Sequence, residues 1–164
     1  MKAIVAVDKK WGIGKNNDLL FSLPEDMKFF REKTKDKTVC MGYNTLLSFP
    51  NSKPLKNRVN IVLAPEGVER DDCIIVHTLE ELSKTLKNYN DVFVIGGAMF
   101  YKTMLPYCEE IYVTKVDADG EATVFYPNLD ELEGFEMIYS SEPIESNGYT
   151  IRFTTFKNNL VKEF

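Results

Sequence analysis

A carboxylate opening a helix whose other early residues are apolar is the first feature able to do chemistry. In LPEDMKFF, Asp26 follows Leu23 and Pro24 and precedes Met27, Phe29 and Phe30. Turned inward among them it would be poorly solvated, its pKa would rise, and it could hold or relay a proton. Acids in a first helical turn also complement the helix dipole, and Glu25 and Asp26 suit that role. Local sequence leaves both readings open. A second feature is the pair Gly96 and Gly97 in VFVIGGAMFY, between a buried strand and a helix. Backbone there can approach a ligand closely, and the helix start favours an anion. The pair equally suits a turn that needs only glycine's conformations. GxGxxG is absent, and no strand-borne acid follows at about 20 residues, so the segment is not a Rossmann fingerprint.

Two further segments join these. VCMGYNTLLSFP places Gly42, Asn44 and Thr45 at another helix start, an anion site or an ordinary cap. Arg58, in PLKNRVNIVL, offers a planar fork for a carboxylate or simply a solvated charge. Other chemistries are poorly supplied. Cys40, Cys73 and Cys108 are odd in number and never form a CxxC pair, and His77 is the only histidine, so neither a disulfide framework nor a zinc site is expected. A net charge of -5 and a pI near 5.0 argue against a nucleic-acid surface built on clustered Lys and Arg. No apolar run approaches the roughly 20 residues of a bilayer span, and MKAIVAVD lacks a signal peptide's cleavage region, so a cytosolic protein with a small-molecule ligand is expected.

These residues need a frame. With 164 residues, 44% of them hydrophobic, one domain with its own core is expected. Buried strands are read at 3–7, 38–41, 59–63, 73–76, 92–95 and 111–116. Helices are read from Pro24, Asn44, Thr78 and Ala98, the last stopped by Pro106. Strand and helix alternate, which implies a largely parallel sheet covered on both faces, with ligands outside the carboxyl ends of its strands. The tail differs: FEMIYS near 135 and YTIRFTTF near 149, joined by a turn at Asn147 and Gly148, read as a closing antiparallel pair.

Taken together, IVAVDKKWGIGKNNDL followed by LPEDMKFF resembles the first strand, mobile active-site loop and acid-bearing helix of the dihydrofolate reductases, bacterial chromosomal type. The resemblance runs from Ala3 to about Phe156, with the motifs in family order. It implies an α/β fold, a single domain over residues 1–164 with a central, mostly parallel eight-stranded sheet, an antiparallel C-terminal strand and about four flanking helices. It further implies an oxidoreductase reducing 7,8-dihydrofolate to 5,6,7,8-tetrahydrofolate for one-carbon metabolism and thymidylate synthesis. Hydride would pass from NADPH to C6 and a proton to N5. Dihydrofolate and antifolate inhibitors are the implied partners, with neither metal, nucleic acid nor membrane, and the protein a cytoplasmic monomer.

Matched position by position, Asp26 is the acid that hydrogen-bonds the pterin, Thr114 the threonine that hydrogen-bonds this acid, and Leu19 and Phe21 complete the catalytic set. Ile4, Val5, Met27, Phe30, Phe49, Leu55 and Ile95 match apolar positions around the pterin and aminobenzoyl rings, and Arg58 the arginine for the glutamate α-carboxylate. Cofactor positions are Ala6, Ile13 and Gly14; Gly42, Tyr43, Asn44 and Thr45; Leu63 and Ala64; Ile95, Gly96, Gly97, Ala98, Met99, Phe100 and Tyr101; and Thr123.

The chain departs from the family pattern at four places. Tyr43 stands where a basic residue commonly holds the 2′-phosphate of NADPH, and Glu66 in APEG adds repulsion, which leaves NADH open as a donor. Leu20 and Phe21 replace a Pro-Trp pair, and Phe21 cannot donate the hydrogen bond with which the indole anchors a pocket water. Ala122 removes an acid that clasps the active-site loop, so a looser closure is expected, with Trp11 in that loop. Two other functions remain in play: the reductase of riboflavin synthesis, whose substrate lacks a glutamate tail, and a folate- or nucleotide-binding protein without catalysis. Arg58 and Asp26 argue for folate and for turnover.

Overall fold

The computed structural model describes residues 1–164. The strands are β1 (Lys2–Val7), β2 (Gly12–Gly14), β3 (Thr38–Gly42), β4 (Val59–Leu63), β5 (Ile74–Val76), β6 (Val92–Gly96), β7 (Glu110–Val116), β8 (Val124–Phe125), β9 (Phe135–Ser140), β10 (Ile144–Ser146) and β11 (Tyr149–Asn158). The helices are α1 (Pro24–Thr34), α2 (Tyr43–Ser48), α3 (Leu79–Leu86) and α4 (Ala98–Met104). The six early strand readings and the four helices all form.

The main sheet runs β10-β11-β7-β1-β6-β3-β4-β5, with β9 also paired to β11. Every pairing from β7 to β5 is parallel, and β11 adds antiparallel to β7. Because β9 and β10 occupy the same edge of the ten-residue β11, the sheet has eight strand positions, as the resemblance implies. The Asn147–Gly148 turn joins β10 to β11 rather than β9 to β11. A long strand accommodates two short partners end to end, and IES is too short to signal itself.

Alternation along each strand sorts side chains between two cores. Val5, Cys40, Val94, Ile111 and Val113 face α3 and α4, which contribute Leu82, Leu86, Phe100 and Met104. Ile4, Met41 and Phe93 face the other way with Leu46 of α2, against Phe29 and Phe30 of α1. Local chemistry fixes the helix ends. Pro24 opens α1, which carries Arg31 and Lys33 in its last turn, and the Thr78 hydroxyl caps α3 by accepting from Glu81 N at 3.1 Å. No helix is long and apolar enough to cross a membrane.

Candidate active site

The acid and its partner come from opposite ends of the sequence. Asp26 sits in the first turn of α1, and Thr114 on β7, buried to 1% exposure, donates its hydroxyl to Asp26 Oδ1 at 2.6 Å. Burial drives the Asp26 carboxyl above its ordinary value, and the Thr114 hydrogen bond, which favours the ionised form, offsets only part of that rise. Ala6, Ile13, Leu19, Leu20, Phe21, Leu23 and Met27 join Asp26 around a cavity of about 50 Å³. The acid thus faces a largely apolar enclosure with room for a few waters and not for a bicyclic ring. Leu19, 76% exposed, is the wall with most freedom to move outward.

A second constellation lies one strand over. The Tyr101 hydroxyl is 2.7 Å from both the Ile4 and Ile95 carbonyl oxygens, which ties α4 to the ends of β1 and β6. A hydroxyl has one proton, so the two carbonyls share it. Beside them, a Cβ added to Gly96 would meet Thr45 Oγ1 at 2.8 Å, and one added to Gly97 would meet it at 3.3 Å. Glycine is needed because Thr45 of α2 already fills the side-chain space. Gly42, the glycine pair and Thr45 therefore form a cradle of backbone that fits a close-lying phosphate or planar ring. The Gly96–Gly97 peptide is cis.

At the opposite side of α1, Arg58 donates from Nη1 to Thr34 Oγ1 at 3.1 Å and from Nε to the Lys56 carbonyl at 2.9 Å. Its guanidinium lies 6.0 Å from the Phe30 ring centroid, and Phe49 and Leu55 pack against the same core as Phe30. Ile4, Phe30, Phe49, Leu55, Ile95 and Arg58 thus form one wall leading away from Asp26. Val5 does not belong to it. Its side chain faces the opposite core with Phe100, so these two residues can offer a ligand only main chain.

Tyr43, Leu63 and Ala64 lie at the carboxyl ends of β3 and β4, and no cation faces them from their own segments. His77 points Nδ1 at the Pro65 and Ala64 carbonyls, 3.0 and 3.2 Å away, and Nε2 toward Glu69 at 3.8 Å. Hydrogen bonding to the Ala64 carbonyl is the largest cause of its raised pKa. Arg70 is bound to Asp72 through two hydrogen bonds and to the Ser52 carbonyl.

The active-site loop is held in a way the sequence did not suggest. Buried Asp8 accepts from Lys10 N at 2.8 Å and Gly12 N at 2.7 Å with one oxygen, and from Gly120 N at 3.0 Å with the other. β2 pairs antiparallel with β8, and Thr123 N donates to Gly14 O at 2.9 Å. Lys10 and Asp119 add an ion pair at 2.9 Å. The expectation of looser closure from Ala122 is therefore corrected: Ala122 instead packs on Gly12, where an added Cβ would come within 2.3 Å of its own Cβ. Trp11 is likewise no free loop residue. It is 6% exposed, its ring 5.9 Å from that of Phe156 and 6.3 Å from that of Tyr126. Further along, Phe21 packs edge-on against Tyr149, Asn147 Nδ2 donates to the Ser22 carbonyl, and Ser146 donates to Glu25. The signal available for Asp8 was an acid ending an apolar strand; Ser146 and Asn147 gave none.

The family model for dihydrofolate reductase matches residues 1–158. The chain is also 33% identical over 158 residues to the dihydrofolate reductase of Bacillus subtilis (strain 168), covering 94% of this chain and 92% of that one. This chain belongs to the dihydrofolate reductase family. It is 36% identical over 131 residues to the dihydrofolate reductase of Staphylococcus haemolyticus, 78% of each chain. The solved structure of dihydrofolate reductase from Enterococcus faecalis complexed with NADP(H) and RAB-propyl superposes with a TM-score of 0.86 at 31% sequence identity, covering 96% of this chain and 95% of that one. As a dihydrofolate reductase, the chain is a nicotinamide-dependent oxidoreductase, and its fold is the α/β architecture of that family.

Proposed function

We propose that this dihydrofolate reductase converts 7,8-dihydrofolate to 5,6,7,8-tetrahydrofolate, with hydride delivered to C6 from NADPH and a proton to N5. Asp26, isolated among apolar side chains and hydrogen-bonded to Thr114, carries the reading. When bound, the nicotinamide supplies the hydride. The chain's own residues do the rest. A carboxyl with a raised pKa holds a proton near neutrality, hydrogen-bonds the pterin and supports protonation of N5, which makes the adjoining C6 a better hydride acceptor. Ile4, Phe30, Phe49, Leu55 and Ile95 suit the apolar rings, while Met27, Leu19 and Phe21 exclude water. Phe21 has no donor for a water, so proton delivery rests more heavily on Asp26.

The Arg58 fork suits the α-carboxylate of the glutamate tail, and Thr34 pre-orients it. Gly42, Asn44, Thr45 and the Gly96–Tyr101 segment suit the cofactor, with Ala6, Ile13, Gly14 and Thr123 closing over it. NADPH is the donor on family grounds, although Tyr43, Leu63 and Ala64 offer its 2′-phosphate no cation. The same reading carries a cytoplasmic monomer, one domain over residues 1–164, feeding one-carbon metabolism and thymidylate synthesis and open to antifolates. The test is dihydrofolate-dependent loss of reduced-nicotinamide absorbance with NADPH and NADH, on wild type and Asp26→Asn. Turnover with NADPH that largely disappears in the variant is expected. No turnover with either donor would overturn the proposal and leave the riboflavin-pathway reductase or a binding protein.

A further inference from the structure

Arg58 stands at the border of a second, larger cavity that the reduction itself does not use. This cavity, about 630 Å³, lies at the amino ends of β4 and β5 and is lined by Lys53, Lys56, Arg58, Asn60 and Asp71 among others. Its size falls within the roughly 300–1,000 Å³ of small-molecule pockets. Its charge runs against the rest of the molecule. In a chain with a net charge of -5, Lys53 and Lys56 are exposed beside Arg58, whose pKa is lowered by burial and then by the nearby charge of Arg31. Four cations in one neighbourhood repel one another unless an anion joins them. Of the two acids on the far wall, Asp72 is already bound by Arg70, which leaves Asp71.

The ligand class follows from what Arg58 is built to read. With Nε and Nη1 turned to Lys56 and Thr34, its remaining fork edge is available for one carboxylate. A folate tail that places its α-carboxylate there must send its γ-carboxyl onward past Arg58. We propose that the Lys53–Lys56 cavity binds a γ-linked oligoglutamate extension of the substrate tail, so that polyglutamylated dihydrofolate is the preferred substrate form. This rests on the folate reading above. Each added glutamyl unit brings one carboxylate for a lysine and one amide N–H, for which Asp71 is an acceptor. Both lysines are exposed, so each contact is modest and is screened by salt.

Calorimetric Kd values and KM values for dihydropteroyl mono- and triglutamate test this on wild type and on a Lys53→Gln/Lys56→Gln double variant. The triglutamate is expected to bind wild type about threefold to tenfold more tightly. That advantage should vanish in the double variant and at about 1 M salt, where the screening length is near 3 Å, while monoglutamate KM in low salt stays unchanged. Equal binding of the two forms by wild type, or an advantage that survives the double substitution, overturns the oligoglutamate site and leaves the folate reading intact. Failure of the monoglutamate itself to bind or turn over would sink the folate reading and this proposal together.

Discussion

Thr114 Oγ1 donates to Asp26 Oδ1 at 2.6 Å across 88 positions of sequence, joining the middle of β7 to the first turn of α1. The bond sets both the direction of the carboxyl and its affinity for a proton. Burial raises the Asp26 pKa and the Thr114 bond pulls it down, so Thr114→Val should raise it further. Activity that needs the protonated acid should then persist to higher pH in Thr114→Val, read as a shift of the alkaline limb of the kcat/KM profile. A limb that stays in place or moves to lower pH would deny Thr114 this role.

For Asp26→Asn, general acid catalysis is lost, and kcat/KM should fall by at least about a hundredfold at neutral pH. Stability should move the other way. A carboxyl with a folded-state pKa above its unfolded value contributes most below the unfolded value, and that contribution declines as pH rises through the folded pKa. The variant should therefore unfold at higher denaturant than wild type at neutral pH, with the gap closing below about pH 4. A variant less stable than wild type at neutral pH would contradict the burial account.

Asp8 is the tether of the active-site loop, with three backbone N–H groups on one carboxylate. Asp8→Ala leaves the buried donors without an acceptor and should destabilise the fold by about 3 kcal/mol, measured by denaturant unfolding. Because the same change frees β2 from the segment around Gly120, turnover should fall more than affinity for dihydrofolate. Unchanged stability together with unchanged turnover would remove Asp8 from any account of closure.

Tyr43 heads α2 where a cofactor 2′-phosphate would otherwise meet a cation. Tyr43→Arg should raise the ratio of NADPH to NADH affinity by about tenfold or more, since a charge-assisted hydrogen bond contributes about 1.5–3 kcal/mol. Calorimetric titration of each cofactor in the absence of folate reads this directly. No change in the ratio would mean that the 2′-phosphate lies elsewhere.

Tyr126 carries the one buried side-chain polar atom without a hydrogen-bond partner, its hydroxyl enclosed near Trp11 and Tyr101. Removing an unpartnered buried hydroxyl relieves a desolvation cost, so Tyr126→Phe should stabilise the protein by about 1 kcal/mol and raise Tm by about 2–4 °C. A lower Tm would show that the hydroxyl has a partner in solution.

The sequence by itself determined the parallel half of the sheet, its four helices and the short-range parts of the site. Runs such as VNIVL and VFVI are buried on both faces and announce themselves, Pro24 and Thr78 mark helix starts, and the Asp26 and glycine-pair motifs keep family spacing. What it could not determine depends on pairing between distant segments. GIG has little strand propensity and becomes β2 only because Val124 and Phe125 lie alongside it. Asp8 reads as a surface acid until Gly120, 112 positions on, donates to it. Val5 and Ile4 look alike as sequence, and strand alternation within the assembled sheet sends them to different cores. Side chains declare their polarity locally, but which groups they meet is set by long-range packing, and loop closure was decided there rather than at Ala122.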